Sequence, residues 1–358
     1  MFILIYFIFS INLFSIPISQ KIMMDASGTV ILGKGNRSSE IGSISKLMLA
    51  FITLNKIENK VIGLEDKIVV LKTRIESLNK LLKLRNKGEF TVKELLTALI
   101  LFADNGAALE LKSYIETEED FINVMNNIAQ REGLYDTFFN SVTGYGNNSS
   151  NSSTAYDIAK LTTSLINNPI YLEILRKAKK IKSTRNEIFM LRDDIIKGEI
   201  YPLASSYVEK KGYSLVAYGE VNEIKLVFVI LNSDFAVNRD KEIQLMINYA
   251  ANHLEGVMIG RKGDIVLEIP LLNNGKKLKV LLGKDLIVTL PLENTEPSKI
   301  VKIYNSINAP IFKGTKVGEI EVRKNGKRIG LADLVAAEDV IKDKIIKRII
   351  SFLTFGLF

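Results

Sequence analysis

Ser43 and Lys46 stand three residues apart in the stretch Gly42-Ser43-Ile44-Ser45-Lys46, directly ahead of an apolar run that continues to Leu54. That run is too long for most strands and reads as a buried helix over residues 45–54. At i and i+3, Ser43 and Lys46 then share one face at the helix start. The helix dipole and the free N–H groups there favour an oxyanion, so a serine alkoxide and a tetrahedral intermediate would both be helped. The chemistry this implies is acyl transfer through a serine, with a lysine amine as its base. A free lysine has a pKa of about 10.4, so only about one molecule in 10³ is neutral at pH 7 unless burial or a nearby cation lowers it. Ser-x-x-Lys alone is a weak pattern. Its place after a glycine and before a long apolar helix strengthens it.

Few other hydrolase chemistries are open to the chain. It has no cysteine, which excludes disulfides, thiol nucleophiles and Cys-based zinc sites. His253 is the only histidine, so no multi-His metal centre can form. Its setting, Tyr249 to Glu255, reads as a helix end and gives it a surface or capping role. No metal and no cofactor are expected. Of the 358 residues 47% are hydrophobic and 25% charged, the composition of an ordinary globular protein with room for a large and a smaller domain. The formal net charge of +8 comes without any pattern that favours nucleic acid. Anionic lipid or cell-wall polymer suits it better.

The elements that must hold Ser43 and Lys46 can be read around them. Residues 21–33 read as two short strands about the Ser27-Gly28 turn. Helices are expected from Val92 to Phe102, Ala107 to Ile115, Thr154 to Ile166 and Asp240 to Leu254. Residues 138–154, rich in Asn, Ser and Gly, read as an exposed loop. Tyr213 to Leu231 reads as two alternating strands joined at Asn222-Glu223. After Gly256 short strands alternate with turn residues every 8 to 12 positions, the texture of a small all-β domain. Leu254 to Gly260 is the best boundary.

Both ends point to membranes. Residues 1–16 are almost wholly apolar and are followed by Pro17-Ile18-Ser19, which suits a signal peptide more than a spanning helix of roughly 20 residues. No Lys or Arg precedes the run, and an uncleaved anchor is the alternative. From Ala337 onward, Ile341, Ile345, Ile349 and Phe352 share one helical stripe, while Lys342, Lys344, Lys347 and Arg348 carry charge elsewhere. Such a helix suits a membrane interface with anionic headgroups.

Several stretches together resemble the D-alanyl-D-alanine carboxypeptidases, the low-molecular-weight penicillin-binding proteins. They are Met24-Asp25-Ala26 ahead of Ser43-x-x-Lys46, Phe139-Asn140-Ser141-Val142-Thr143-Gly144, Ser153-Thr154-Ala155-Tyr156-Asp157, Ala309-Pro310-Ile311-Phe312-Lys313-Gly314 with Val317-Gly318, and Asp333-Leu334-Val335. The likeness runs in order through nearly all of residues 20–358. It implies an α/β (α+β) penicillin-binding/β-lactamase-like transpeptidase domain, an antiparallel sheet with a helical cluster. A small all-β C-terminal domain and a terminal amphipathic helix would follow. The divisions are then a signal peptide at 1–19, the peptidase-like domain at 20–255, the β-rich domain at 256–335 and the anchor helix at 336–358.

The family carries three motifs, Ser-x-x-Lys, Ser-Gly-Asn and Lys-Thr-Gly, and two of them depart here. Ala103-Asp104-Asn105 stands for Ser-Gly-Asn: Asn105 is kept, and the serine, a proton-relay hydroxyl in the family, is Ala103. The phase of Gly212 to Ala217 places Ala204-Ser205-Ser206 at Lys-Thr-Gly, which removes the lysine. An alternative register uses Lys210-Lys211-Gly212 and breaks that phase. By resemblance Ser43, Lys46 and Asn105 are catalytic and Arg239 meets the substrate's terminal carboxylate. Ser205 lies at the substrate-binding strand, and the backbone N–H groups of Ser43 and Tyr207 form the oxyanion hole. Each lost hydrogen bond to a charged group is worth roughly 10- to 150-fold in rate.

The expected activity is serine-type D-Ala-D-Ala carboxypeptidase action on peptidoglycan stem peptides, with turnover weakened at Ala103 and Ala204. A catalytically retired homologue that binds cell wall or regulates wall enzymes is the alternative. A β-lactamase would share the first motif but leaves the β domain and terminal helix unexplained. Expected partners are the peptidoglycan peptide, β-lactams and, through the terminal helix, a membrane surface, with no nucleic acid. The expected location is the periplasmic face of the cytoplasmic membrane, peripherally bound.

Overall fold

A computed structural model describes residues 19–82, 88–115, 120–144, 150–177, 200–271, 277–292, 297–304 and 310–340. The apolar N-terminal run and the basic stripe beyond Ile341 lie outside the described residues. The first part of the chain folds as β1 (Gln20–Asp25), β2 (Val30–Lys34), β3 (Ser39–Glu40), α1 (Lys46–Glu58), β4 (Lys67–Val69), α2 (Lys72–Leu82), β5 (Glu89–Thr91), α3 (Val92–Phe102), α4 (Asn105–Ile115), α5 (Phe121–Arg131) and β6 (Ser152–Ser153). It continues with α6 (Ala155–Ile166), α7 (Pro169–Lys177), β7 (Ile200–Val208), β8 (Gly212–Val221), β9 (Ile224–Ser233) and α8 (Ala236–His253).

One five-stranded sheet, in the order β2-β1-β9-β8-β7, organises this part. β8 and β9 are buried along nearly their whole length rather than on alternate residues. Both faces of the sheet centre are therefore covered. They meet at Asn222-Glu223, where both residues have positive φ, 49° and 66°. Two left-handed residues in a two-residue connection match the right-handed twist of the strands they join. β7 ends the sheet, so one of its edges stays open to other partners.

The helical cluster is centred on α1, whose residues Lys46 to Leu54 are all buried and which packs on α3, α4, α5 and α6. A helix apolar on all sides belongs inside. α3 starts with a capping box: Thr91 Oγ1 accepts from Glu94 N, and Thr91 N donates to Glu94 Oε2. It ends at Ala103, which adopts a left-handed conformation, φ +49°, usually left to glycine. Thr154 caps α6 through Asp157 N.

Residues 138–144 and 150–154 are less exposed than the loop expected of 138–154. Phe139, Asn151, Ser153 and Thr154 are buried. The cause is Asn151, whose Oδ1 accepts from Asn140 N and Ser141 N while its Nδ2 donates to Ser141 O. A polar side chain that meets three backbone groups can be buried without loss.

Among the described residues after His253 the regular elements are all strands: β10 (Leu254–Gly260), β11 (Ile265–Pro270), β12 (Lys277–Leu282), β13 (Leu286–Pro291), β14 (Ser298–Ile303), β15 (Lys316–Lys324) and β16 (Lys327–Ala336). β10 pairs with β13, and the others form a sheet ordered β11-β12-β16-β15-β14. Leu278, Val280, Leu286, Val288, Val322 and Leu334 lead its core. The chain forms two compact units, and the second takes in residues 24–31 and 220–226 together with everything from Ile247. Leu254 to Gly260 is thus itself a strand within the second unit. Asp25 explains why the first turn belongs there. Its Oδ1 accepts from Ser27 N, Ser27 Oγ and Thr29 N, and its Oδ2 accepts from Thr289 Oγ1 on β13. Ala336, expected to open the terminal helix, ends β16, and Val340 forms a bridge with Ile311.

Candidate active site

Ser43 lies in a short 3-10 turn, Gly42–Ser45, and Lys46 is the first residue of α1. Ser43 therefore precedes the helix by one tight turn instead of forming part of it. Two glycines allow this. Gly42 has φ +51°, and a Cβ there would lie 3.2 Å from Ser206 Cβ, so the turn presses directly on β7. Gly144 has φ +66°, and a Cβ there would fall 1.9 Å from Gly42 O and 2.8 Å from Ser43 N. Only glycine lets the 141–144 segment lie across the peptide of the turn.

This packing decides where the two functional atoms point. Ser43 Oγ donates to the backbone carbonyl of Ser205 on β7, at 2.8 Å. Lys46 Nζ donates to the carbonyl of Thr143 at 3.0 Å. Ser43 and Lys46 line one cavity together with Leu47, Ala50, Leu99, Ile100, Ala103, Tyr171, Leu203, Ala204 and Ser205. The space inside it is about 20 Å³. Lys46 is only 5% exposed, and burial draws its pKa down to about 8, against the pull of the Asp104 carboxylate, which raises it. Some 10% of the amine is then neutral at pH 7, roughly a few hundredfold more than in a free lysine.

The other expected residues are less tightly gathered. Ser205, Ala103 and Ala204 line the cavity with the serine. Asn105 is exposed at the first position of α4 and is not part of that lining. Between them, Asp104 Oδ1 accepts from Ala107 N and caps the helix. Arg239 is 6% exposed and engaged by its neighbour, with Nε 2.7 Å from Asp240 Oδ1 and Nη2 2.6 Å from the same oxygen. It too lies outside the cavity lining. Tyr207 projects its ring outward against Tyr213, with centroids 4.8 Å apart. Lys210 and Lys211 sit in the turn between β7 and β8. Among the described residues no lysine but Lys46 lines the cavity.

Residues 13–235 match the family model described as D-alanyl-D-alanine carboxypeptidase, and residues 255–342 match the C-terminal domain of penicillin-binding protein 5. The chain belongs to the D-alanyl-D-alanine carboxypeptidase family. Among its relatives, the D-alanyl-D-alanine carboxypeptidase DacC of Escherichia coli is 26% identical over 359 residues, covering 95% of this chain and 88% of the relative. The fold is that of a solved peptidoglycan synthesis regulatory factor, PBP3 of Streptococcus pneumoniae. That likeness has a TM-score of 0.67 and 21% identity over 91% of this chain and all of the other. Penicillin-binding protein D2 of Listeria monocytogenes, solved in an ampicillin-bound form, matches with a TM-score of 0.53 and 22% identity over 64% of this chain and 96% of that one.

Ser43 and Lys46 stand where the resemblance places the family's serine and lysine. Alanine stands at 103 and 204, and a carboxylate, Asp104, stands where the resemblance places the glycine of Ser-Gly-Asn. Sequence reasoning missed Asn151 and Tyr171, and it quoted Gly144 only as part of the family-like stretch 139–144, without its role beside Gly42. Gly144 and Tyr171 act on partners that the fold brings in from far along the chain.

Proposed function

We propose that the protein is a serine-type D-Ala-D-Ala carboxypeptidase that removes the terminal D-alanine from peptidoglycan stem peptides through an acyl-enzyme at Ser43. The observation that carries this reading is the shared cavity of Ser43 and Lys46, in which the lysine is desolvated enough to act as a base. Ser43 Oγ turns from the Ser205 carbonyl toward the lysine and gives up its proton as it bonds to the carbonyl carbon of the penultimate residue. The resulting oxyanion lies at the open edge of β7. In a strand the N–H and C=O of residues i and i+2 face the same edge. Since Ser205 O faces Ser43, the N–H of Tyr207 faces it too, and it joins the N–H of Ser43 as oxyanion donor. Both donors are backbone groups, so the alanines at 103 and 204 leave them in place. Protonated Lys46 returns its proton to the departing D-alanine amine, and water releases the acyl group. Asn105 and Arg239 orient the substrate, and Arg239 does so after exchanging Asp240 for the terminal carboxylate. β-Lactams acylate the same serine.

Ala103 and Ala204 favour a second reading, a homologue that holds wall peptide and turns it over too slowly to be an enzyme. The two are separated by incubating the protein with a fluorescent penicillin and with a stem pentapeptide. Covalent labelling and D-alanine release are expected in the wild type, and Ser43→Ala abolishes both. Absence of any label dependent on Ser43 overturns the enzymatic reading. The apolar start and the basic, apolar end of the chain support export and attachment to the outer face of the cytoplasmic membrane.

A further inference from the structure

Tyr171 is fully buried, and its hydroxyl oxygen has no hydrogen-bond partner among the described residues. Such a hydroxyl is costly to bury, and a phenylalanine would fill the same space without that cost. Its position is well fixed. Asn168 Oδ1 accepts from the backbone N–H of Ile170 and of Tyr171, which starts α7, and α7 packs against α3, the helix that ends at Ala103. Tyr171 lines the same cavity as Ser43, Lys46 and Ala103, where most other walls are apolar: Leu47, Ala50, Leu99, Ile100 and Leu203. A cavity needs roughly 10–15 Å³ to hold one water, which then wants two to four polar partners. The 20 Å³ here meets the first requirement. The Tyr171 hydroxyl, the Lys46 amine and the Ser43 hydroxyl meet the second. Lys46 has directed one N–H to Thr143 O and has others to offer.

We propose that Tyr171 is a positioning residue for Lys46: its hydroxyl and the lysine amine hold one water beside Ser43, and that water replaces the relay hydroxyl that Ala103 lacks. This rests on the reading of Ser43 as nucleophile. The proton account closes. Ser43 loses its proton to the neutral Lys46 amine as the Oγ–C bond forms. The Lys46 ammonium then gives a proton to the water, which passes one of its own to the leaving amine as the C–N bond breaks. Tyr171 accepts from or donates to the water and ends unchanged. Burial holds the phenol well above its ordinary pKa, so it stays neutral throughout. The Asp104 carboxylate is the other charged group whose field reaches Lys46.

The test is Tyr171→Phe, with and without Ala103→Ser, followed by acylation with a fluorescent penicillin across pH and by the NMR titration of the Lys46 Cε signal. Tyr171→Phe is expected to slow acylation of Ser43 by about 10- to 100-fold. It is also expected to move the Lys46 midpoint by about half a pH unit or more. Adding Ala103→Ser restores most of the rate. Wild-type rate and an unmoved midpoint in Tyr171→Phe overturn the proposal and leave the serine mechanism standing. If the wild type takes no label at Ser43, the mechanism fails, and the Lys46 midpoint alone decides: a shift supports the shared water, and no shift overturns it.

Discussion

Burying the Lys46 ammonium beside Leu47, Ala50, Leu99 and Ile100 strips water from a cation, and that loss sets its midpoint near pH 8. The ordinary value is 10.5, so the charged form is disfavoured in the fold by about 3 kcal/mol. The sign follows from proton counts. Between about pH 8 and 10.5 the unfolded chain holds a proton that the folded chain has released, so stability rises with pH across that window. Below it both forms are protonated and the full penalty remains. Lys46→Met is therefore expected to abolish acylation while stabilising the protein at pH 7 by about 1–3 kcal/mol, measured by urea denaturation. Wild-type acylation should climb with pH and level off above about 8. This residue pair was legible in the sequence because its spacing and helix context are local. The Ala204 register was legible from strand phase, and it sets Ala204 and Ser205 beside Ser43. Tyr171, 125 positions beyond Lys46, offered no such clue.

Among the elements, those with a strong single period were read well. The β8–β9 hairpin, α1, α3 and α6 all lie where apolar patterning and turn residues put them. α2, α5 and α7 have no counterpart among the expected elements, although Asp120 and Asn168 accept from backbone N–H groups at the starts of α5 and α7. The segment 138–154 shows the limit of composition: asparagines and serines mark loops, yet Asn151 is buried because its amide serves the backbone around it. The turn between β1 and β2 shows the same principle with an acid. Burial pushes the Asp25 carboxyl up even though its hydrogen bonds pull it down. Asp25→Ala leaves the N–H groups of Ser27 and Thr29 without their acceptor. A loss of about 2–4 kcal/mol is expected, read from the thermal or urea midpoint.

For the whole molecule, the texture change after Gly256 gave the all-β second part, but not its true extent. Residues 24–31 and 220–226 join that unit through contacts such as Asp25 with Thr289 and Asn222 with Leu254. Sequence proximity cannot report a unit assembled from three pieces of chain. No helix among the described residues is long and apolar enough to cross a membrane. The proposed attachment uses the basic, apolar stretch past Val340, with an uncleaved N-terminal run as the alternative anchor. Ending the chain at Val340 should move the protein from the membrane pellet to the soluble fraction in a sedimentation assay. Unchanged pelleting would remove the terminal stripe as the anchor.

β1 lies beside β9 in the sheet, although about 200 residues of chain separate Asp25 from Ile224. A pairing so distant is slow to form, because a long loop must close before any contact compensates for it. During synthesis β1 has only β2 beside it until β9 is made, so the sheet cannot close before most of the polypeptide exists. A sheet completed so late leaves the nascent chain unfolded for longer, which suits the export proposed for it.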